Sequence, residues 1–407
     1  MRSQKINDTF AALSYPNYRL WFIGQIVSLV GTWMQATAQG YLVYQITNSA
    51  AFLGYVSFAN GLPTWLFTLY GGVIADRIPR RKLLVITQSS MMVLAFILAV
   101  LTFTNLVQPW HIIVLAFLLG TANAFDTPAR QSFVSEMVDA KDMTNAIALN
   151  STMFNIGTVV GPAVAGLVYA WLGPGWCFTI NGISFIAVVI ALLLMTLSGV
   201  VAKPSGNSAL TELKEGVIFA YKEKTIRSLI LNLGAVGVFG FGLLALLPAW
   251  AVNVLKGDAT TNGLLLSARG VGSLIGALMI AYVGSRGTRG KVWTVGYLLT
   301  PPFFVVFAVL HWLPLSLVAM VAVGWAIMSM TNTTNALVQS HVPDQLRGRV
   351  MGVYALVFMG GTPIGSLAAG WIADKYGEPI TVIGFSIILM IIAIFTFFLR
   401  PALRQLN

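Results

Sequence analysis

Of the thirteen acidic residues in this 407-residue chain, Asp126 alone falls well inside a long apolar run. Arg130 follows four residues later, one helical turn away, where the two side chains can meet. A carboxyl group in such surroundings can carry a proton, because its charge is governed by burial and by its neighbours. Two readings are open. Arg130 can hold Asp126 ionised as a permanent structural pair, or Asp126 can take up and release a proton. Arg269 is the other deeply placed charge, and the chain offers it no acid nearby. A lone guanidinium at that depth needs water, a cluster of carbonyls or an anionic ligand. Its planar fork suits carboxylates and phenolate-like oxygens. The plainer alternative is that Arg269 bonds helix carbonyls in a packed interface.

Little else in the chain could do chemistry. His111, His311 and His341 lie far apart, and Cys177 is the single cysteine. Together these exclude a disulfide framework and a cysteine or local histidine metal motif. No phosphate-cradling Gly-x-x-x-x-Gly-Lys-Ser/Thr loop occurs, which argues against direct driving by ATP. Asp126 has no second carboxylate or nucleophile–base pair near it in sequence. The expectation is a protein that is not an enzyme and that holds no cofactor or metal.

The elements that must position these charges follow from composition. Hydrophobic residues make up 57% and charged residues 9%, with a mean hydropathy of +0.81. A soluble domain carries ~25% charged residues, so the solvent for most of this chain is lipid. A spanning helix needs ~20 apolar residues. Twelve windows qualify: 18–45, 51–75, 83–104, 111–135, 144–171, 175–197, 227–254, 261–284, 291–311, 314–337, 349–373 and 379–399. Residues 1–17 lack the apolar core and small-residue cleavage site of a signal peptide. With the N-terminus inside, the outer connections hold only Lys256 and Lys375, and Arg130 and Arg269 fall within spans. The other twenty of the 24 basic residues are then on the inner side. This asymmetry puts both termini in the cytoplasm. It also accounts for the net charge of +11 without nucleic acid. Even, long spans with short outer loops exclude a β-barrel.

The chain repeats itself. Arg77-x-x-Arg80-x-Lys82 recurs as Arg286-x-x-Arg289-x-Lys291, Gly54 and Gly61 as Gly263 and Gly270, Pro162 as Pro363, and Gly182-x-Ser184 as Gly384-x-Ser386. The order and near-constant offset predict an all-α membrane protein of twelve transmembrane helices in two pseudo-symmetric six-helix halves, residues 1–197 and 227–407. Parallel repeats of this kind place a substrate site near the midplane between them. The connection 198–226 opens with polar Lys203-Pro204-Ser205-Gly206-Asn207-Ser208. It continues with Leu210, Leu213, Val217, Phe219 and Ala220 at near-helical spacing among lysines and glutamates. That pattern reads as an amphipathic helix on the inner membrane surface, or as a plain linker helix.

Four stretches resemble the major facilitator superfamily, and within it the bacterial exporter branch that includes the enterobactin exporter. They are Gly72-Val-Ile-Ala-Asp76-Arg77-Ile-Pro-Arg80-Arg81-Lys82, the run from Pro128-Ala-Arg130 to Gly161-Pro162, Glu215-Gly216, and Val342-Pro343 through Arg347-Gly348-Arg349. The resemblance covers nearly the whole chain. It implies a monomeric secondary transporter of the bacterial inner membrane, exporting a small molecule in exchange for protons. A broad-range drug exporter, an importer on the same fold, and a transport-inactive receptor or assembly factor stand as alternatives.

The resemblance assigns Gly72, Asp76, Arg77, Arg80 and Arg81 to a cytoplasmic gate, with Pro79 where the family pattern has glycine. Gly72 allows close helix approach. Asp76 can meet the positive N-terminus of the eleventh span. Arg80 can pair with Glu136 at the end of the fourth. The basic residues also serve as topology signals whether or not they gate. Gly157-x-x-x-Gly161-Pro162-x-x-x-Gly166 gives the fifth span a flat packing face and a bend. It resembles the motif of proton-driven exporters, although Ala148 and Ala165 replace two of its glycines. Gly361, Pro363, Gly365 and Gly370 repeat the idea in the eleventh span. In the superfamily, spans one, four, seven and ten line the cavity. This makes Gln35, Gln39, Asn123, Asn332 and Asn335, with Arg269, candidate lining residues, and Trp33, Trp65, Trp250 and Trp325 candidate stacking surfaces. For any one of the polar residues, interhelical hydrogen bonding is an equal alternative. Trp110 and Trp312 read as interface anchors.

Overall fold

The computed structural model describes residues 10–196, 209–283 and 289–406, excluding the side chains of Leu69, Val73, Asp76, Ala209, Leu210 and Val283. The polar stretch 203–208, Arg286 of the repeated basic pattern and the Asp76 carboxylate therefore lie outside the described residues.

Every regular element among the described residues is helical. In chain order the α-helices are α1 Pro16–Thr47, α2 Ala50–Arg77, α3 Arg80–Phe103, α4 Pro109–Phe133, α5 Met143–Leu172, α6 Pro174–Leu194 and α7 Ala209–Lys222. They continue with α8 Lys224–Phe239, α9 Leu247–Asn253, α10 Ala259–Val283, α11 Arg289–Val309, α12 Leu313–His341, α13 Asp344–Tyr376 and α14 Glu378–Leu399. Proline opens the first turn of α1, α4, α6, α9, α12 and α14, where its missing N–H is not needed. Single glycines turn the chain between α5 and α6 and between α13 and α14. Gly173 and Gly377 have φ of 90° and 86°, values that a side chain would resist.

Ten described helical segments are long and apolar enough to cross a membrane. The 32-residue α1 and 28-residue α2 are long enough but are not among the ten. In α1 the reason is visible: Gln25, Gln35, Gln39 and Gln45 dilute its apolar surface.

The expected span over 227–254 is found as one membrane-crossing segment, Lys224–Asn253, but it is not a single continuous α-helix. It breaks into α8, a 3-10 turn over Phe241–Leu246, and α9. Gly240 and Gly242 hold a helix weakly, and Pro248 cannot donate a helical hydrogen bond. The break also lets α13 come close. A Cβ added at Gly242 would lie 2.5 Å from the Gly365 carbonyl carbon, and one at Gly365 would lie 2.1 Å from the Val238 oxygen.

Within the chain before α7, helices α1–α5, α1–α6, α2–α4, α3–α4 and α3–α6 pack together. After it, α8–α13, α10–α12, α11–α12 and α11–α14 do. The two segments meet along α2 with α13 and α5 with α10, and more lightly where α1 touches α9 and α10. Helix α7 lies against α13: Gly216 faces the Arg349 backbone, and Glu215 pairs with Arg349. Its Val217, Ile218 and Tyr221 remain exposed.

Candidate functional site

Asp126 sits seven residues before the end of α4 and is 2% exposed. The antiparallel neighbour α3 brings Thr87 and Gln88 to the same depth. Thr87 Oγ1 donates to Asp126 Oδ1 at 2.9 Å and Gln88 Nε2 donates to the same oxygen at 2.8 Å. Arg130 Nε stands 3.5 Å from Oδ2, and its side chain is 30% exposed. The closest partners of the carboxyl are therefore neutral, and the arginine is a looser, partly wetted one. Sequence reasoning missed Thr87 and Gln88. Their signal was two adjacent polar residues in the third span at the depth of Asp126. The Gln88 Oε1 atom is buried with no hydrogen bond, although the amide it belongs to is otherwise fixed by the acid.

At the basic end of the helices, Arg80 Nη1 donates to Glu136 Oε1 at 2.8 Å, joining the start of α3 to the 3-10 turn that follows α4. Arg81 reaches the last turn of α6, donating to the carbonyls of Leu192 and Leu193 at 2.6 and 2.7 Å. A cation there satisfies end carbonyls and opposes the negative pole of the helix. Arg77 is exposed. Arg80, Arg81, Lys82 and Glu136 also line a cleft of about 360 Å3, away from the polar faces of α1 and α12.

Close contact between the two segments at their glycines runs from the opposite end to the middle of the helices. Along α2 and α13, Cβ atoms added at Gly54, Gly61 and Gly370 would lie 2.7, 2.0 and 2.6 Å from Ser366, Pro363 and Ala50 atoms. Along α5 and α10, Gly166 meets Thr260, Gly263 meets the Pro162 carbonyl, and Ser267 Oγ donates to Val159 O at 2.7 Å. Gly157 and Gly161 face α1 instead, against Trp33 and Leu29 and against Trp33 and Val30 respectively. Toward the basic end, nothing lies within 4 Å of a Cβ added at Gly72 on α2 or at Gly348 and Gly352 on α13. Close glycine contacts thus hold α2 to α13 and α5 to α10 from one end to mid-helix, and beyond them space is open at Gly72, Gly348 and Gly352.

The candidate lining residues divide. Gln35 is buried and accepts a hydrogen bond from Asn181 Nδ2 at 2.7 Å, tying α1 to α6. This is the interhelical bonding that stood as the alternative to a lining role. Asn335 Oδ1 accepts from Gln339 Nε2 at 2.6 Å within α12. Gln39 is buried, while Asn123 and Asn332 are partly exposed. Arg269 is partly exposed and makes no hydrogen bond or ion pair among the described residues, and its Nε is buried without a partner. Trp250 is fully buried, stacked on Phe307 with ring centroids 4.6 Å apart, so it offers no face to a ligand. Trp33 packs edge-on to Phe154, Trp325 donates to the Met279 sulfur, and Trp65 remains exposed.

A family model described as transmembrane secretion effector, of the major facilitator type, matches residues 7–406. The chain belongs to that family. Among its relatives, the multidrug efflux pump Tap of Mycolicibacterium fortuitum is 30% identical over 395 residues, 93% of this chain and 94% of Tap. The staphyloferrin A transporter of Staphylococcus aureus is 26% identical, covering 88% and 90%. The enterobactin exporter EntS of Citrobacter koseri is 26% identical, covering 88% and 85%. Solved structures agree in fold. A bacterial homologue of the lysosomal transporter Spinster, inward-facing and unoccupied, superimposes with a TM-score of 0.76 at 16% identity over 96% of this chain and 98% of that one. The nucleoside transporter NupG does so at 0.75 and 14% identity, over 96% and 100%. This secretion effector is a multi-pass membrane exporter and not an enzyme.

The transporter buries a further acid at the start of its last helix. Glu378, the first residue of α14, is 7% exposed and is, with Asp126, one of two buried carboxylates among the described residues. It stood just outside the last apolar window.

Proposed function

We propose that the chain is a twelve-span exporter whose two six-helix halves, residues 1–197 and 227–407, rock about a central site and exchange protons for a small organic molecule. The carrying observation is the close contact of α2 with α13 and of α5 with α10, which runs from one end to mid-helix and leaves open space beyond. An alternating-access carrier closed at one end and open at the other has this arrangement. The excess of basic residues at the open end supports a cytoplasmic location for that end and for both termini, in a bacterial inner membrane. In this reading Gly72, Asp76, Arg77, Arg80 and Arg81 form the cytoplasmic gate, with Glu136 holding Arg80. When the gate shuts, Gly72 meets α13. Asp126 is the proton-carrying group: Gln88 can turn its unpartnered Oε1 toward a protonated Asp126, which would then donate to it. The carrier works as a monomer and needs no nucleic acid.

The substrate is an anionic or oxygen-rich molecule, because Arg269 has no hydrogen-bond or ion-pair partner among the described residues and a guanidinium in a low-dielectric wall favours carboxylate or phenolate oxygens. The similarity to siderophore transporters supports this. The similarity to Tap favours a second reading, a broad-range drug exporter. Purified protein in vesicles with a pH-sensitive dye inside decides between them. A catecholate siderophore should provoke proton movement opposite to its own, and a lipophilic cation should not. Robust proton-linked transport of lipophilic cations with no response to the siderophore would reject the anionic-substrate reading.

A further inference from the structure

At the closed end, α1 and α9 are joined by Asn253 Nδ2, which donates to Tyr44 Oη at 2.6 Å. Among the described residues this is the one side chain to side chain hydrogen bond between the chain before α7 and the chain after it. The other crossing bonds, from Ser267 to Val159 and from Thr260 to Gly166, end on backbone carbonyls. The same Asn253 nitrogen also donates to Glu378 Oε1 at 2.7 Å. The three residues come from three elements: Tyr44 from the end of α1, Asn253 from the last turn of α9, and Glu378 from the first turn of α14.

The chemistry of the trio sets its orientation. An ionised carboxylate can only accept, so the nitrogen of the Asn253 amide must face Glu378. The second N–H of that nitrogen then points at Tyr44, whose hydroxyl oxygen accepts. Glu378 is well placed to stay where it is, being buried and at a helix N-terminus that favours an anion. Tyr44 is buried as well, at 4% exposure. Nearby, Gly40 of α1 lets Pro248 of α9 approach, with 3.5 Å from an added Cβ to Pro248 Cγ. The polar tie therefore closes over an apolar contact between the same two helices.

The geometry points to Tyr44 and Asn253 as the latch that holds this end shut, with Glu378 as the positioning residue that aims the Asn253 amide across the gap. This rests on the alternating-access reading. Opening the end separates α1 from α9 and breaks the Asn253–Tyr44 bond, while the Asn253–Glu378 bond, internal to the later segment, persists. Loss of one such bond should change the ratio of the two end states by roughly two- to tenfold.

The test uses full-length protein in vesicles, spin-labelled at Leu106→Cys with Trp312→Cys for the closed end, and at Ser135→Cys with Gln345→Cys for the basic end. All four positions are exposed, and Cys177 is buried. Tyr44→Phe keeps the ring and removes only the acceptor, so folding should be unaffected. It and Asn253→Ala should each lengthen the 106–312 distance population and shorten the 135–345 population. Glu378→Leu should do the same, and Glu378→Gln, whose carbonyl can still accept from Asn253, should restore the wild-type ratio. If wild type alternates and both Tyr44→Phe and Asn253→Ala leave the ratio unchanged, the latch is overturned alone. If the two label pairs in wild type never change in opposite senses, alternating access and the latch fall together. A Glu378→Gln variant as disruptive as Glu378→Leu overturns the positioning role.

Discussion

Replacing Asp126 separates two roles that its surroundings combine. The carboxyl accepts from Thr87 and Gln88 on one oxygen, with Arg130 at 3.5 Å from the other. Interhelical hydrogen bonds inside membranes contribute about 0.6 kcal/mol each and at most ~1.7 kcal/mol. The two bonds together are therefore worth about 1–3 kcal/mol. Asp126→Leu removes both and strands the Gln88 amide, which adds ~1–3 kcal/mol for the buried group left without partners. Its expected total loss is about 2–6 kcal/mol. Asp126→Asn behaves differently. Its carbonyl can still accept from Thr87, and its amide can donate to Gln88 Oε1, the atom now lacking a partner. The remaining loss is the partly wetted contact with Arg130, which by the exposed-pair scale is worth no more than ~1 kcal/mol. Thermal unfolding in detergent should thus place Asp126→Asn close to wild type and Asp126→Leu far below it. In vesicles, Asp126→Asn should abolish accumulation driven by a proton gradient while sparing substrate exchange between equilibrated compartments. Equal destabilisation by Asn and Leu would refute the bonding argument. Recovery of proton-driven transport in Asp126→Asn combined with Arg130→Gln would refute the carrier role and leave a structural pair.

Three further substitutions test the packing of α2 on α13 and the role of Arg269. Gly61→Val should lower the unfolding midpoint, because an added Cβ falls 2.0 Å from Pro363 and overpacking costs about 1–3 kcal/mol. Gly72→Leu should leave the midpoint unchanged, since nothing lies within 4 Å there. It should slow turnover on the order of tenfold to a hundredfold by obstructing closure of the basic end, and normal turnover would argue that α2 and α13 never meet at Gly72. Arg269→Gln should weaken transport of anionic compounds selectively in a vesicle uptake competition, and a uniform drop in protein yield with unchanged selectivity would make Arg269 a packing residue.

The sequence alone was enough for the helices and their order, because a lipid solvent makes hydrophobic run length a direct physical constraint. The windows 83–104, 175–197 and 379–399 became Arg80–Phe103, Pro174–Leu194 and Glu378–Leu399. Arg80 with Glu136 and Asp126 with Arg130 could be paired from spacing, since each pair lies on one helix or at matching ends of neighbouring helices. Tertiary structure decided what needed two or more helices at known rotation. The 3-10 turn in the seventh span has local causes in Gly240, Gly242 and Pro248, but the close passage of α13 at Gly242 that it permits is visible only in the tertiary structure. Whether Gln35 faces a cavity or Asn181 turns on the rotation of α1 against α6, and a polar residue in a span reads the same in either case. Thr87 and Gln88 become partners of Asp126 only once α3 and α4 are set side by side at one depth. Glu378 lies just outside the last apolar window, 379–399. The convergence of α1, α9 and α14 buries it and gives it Asn253 to hold, because burial at a helix end is set by what packs over that end.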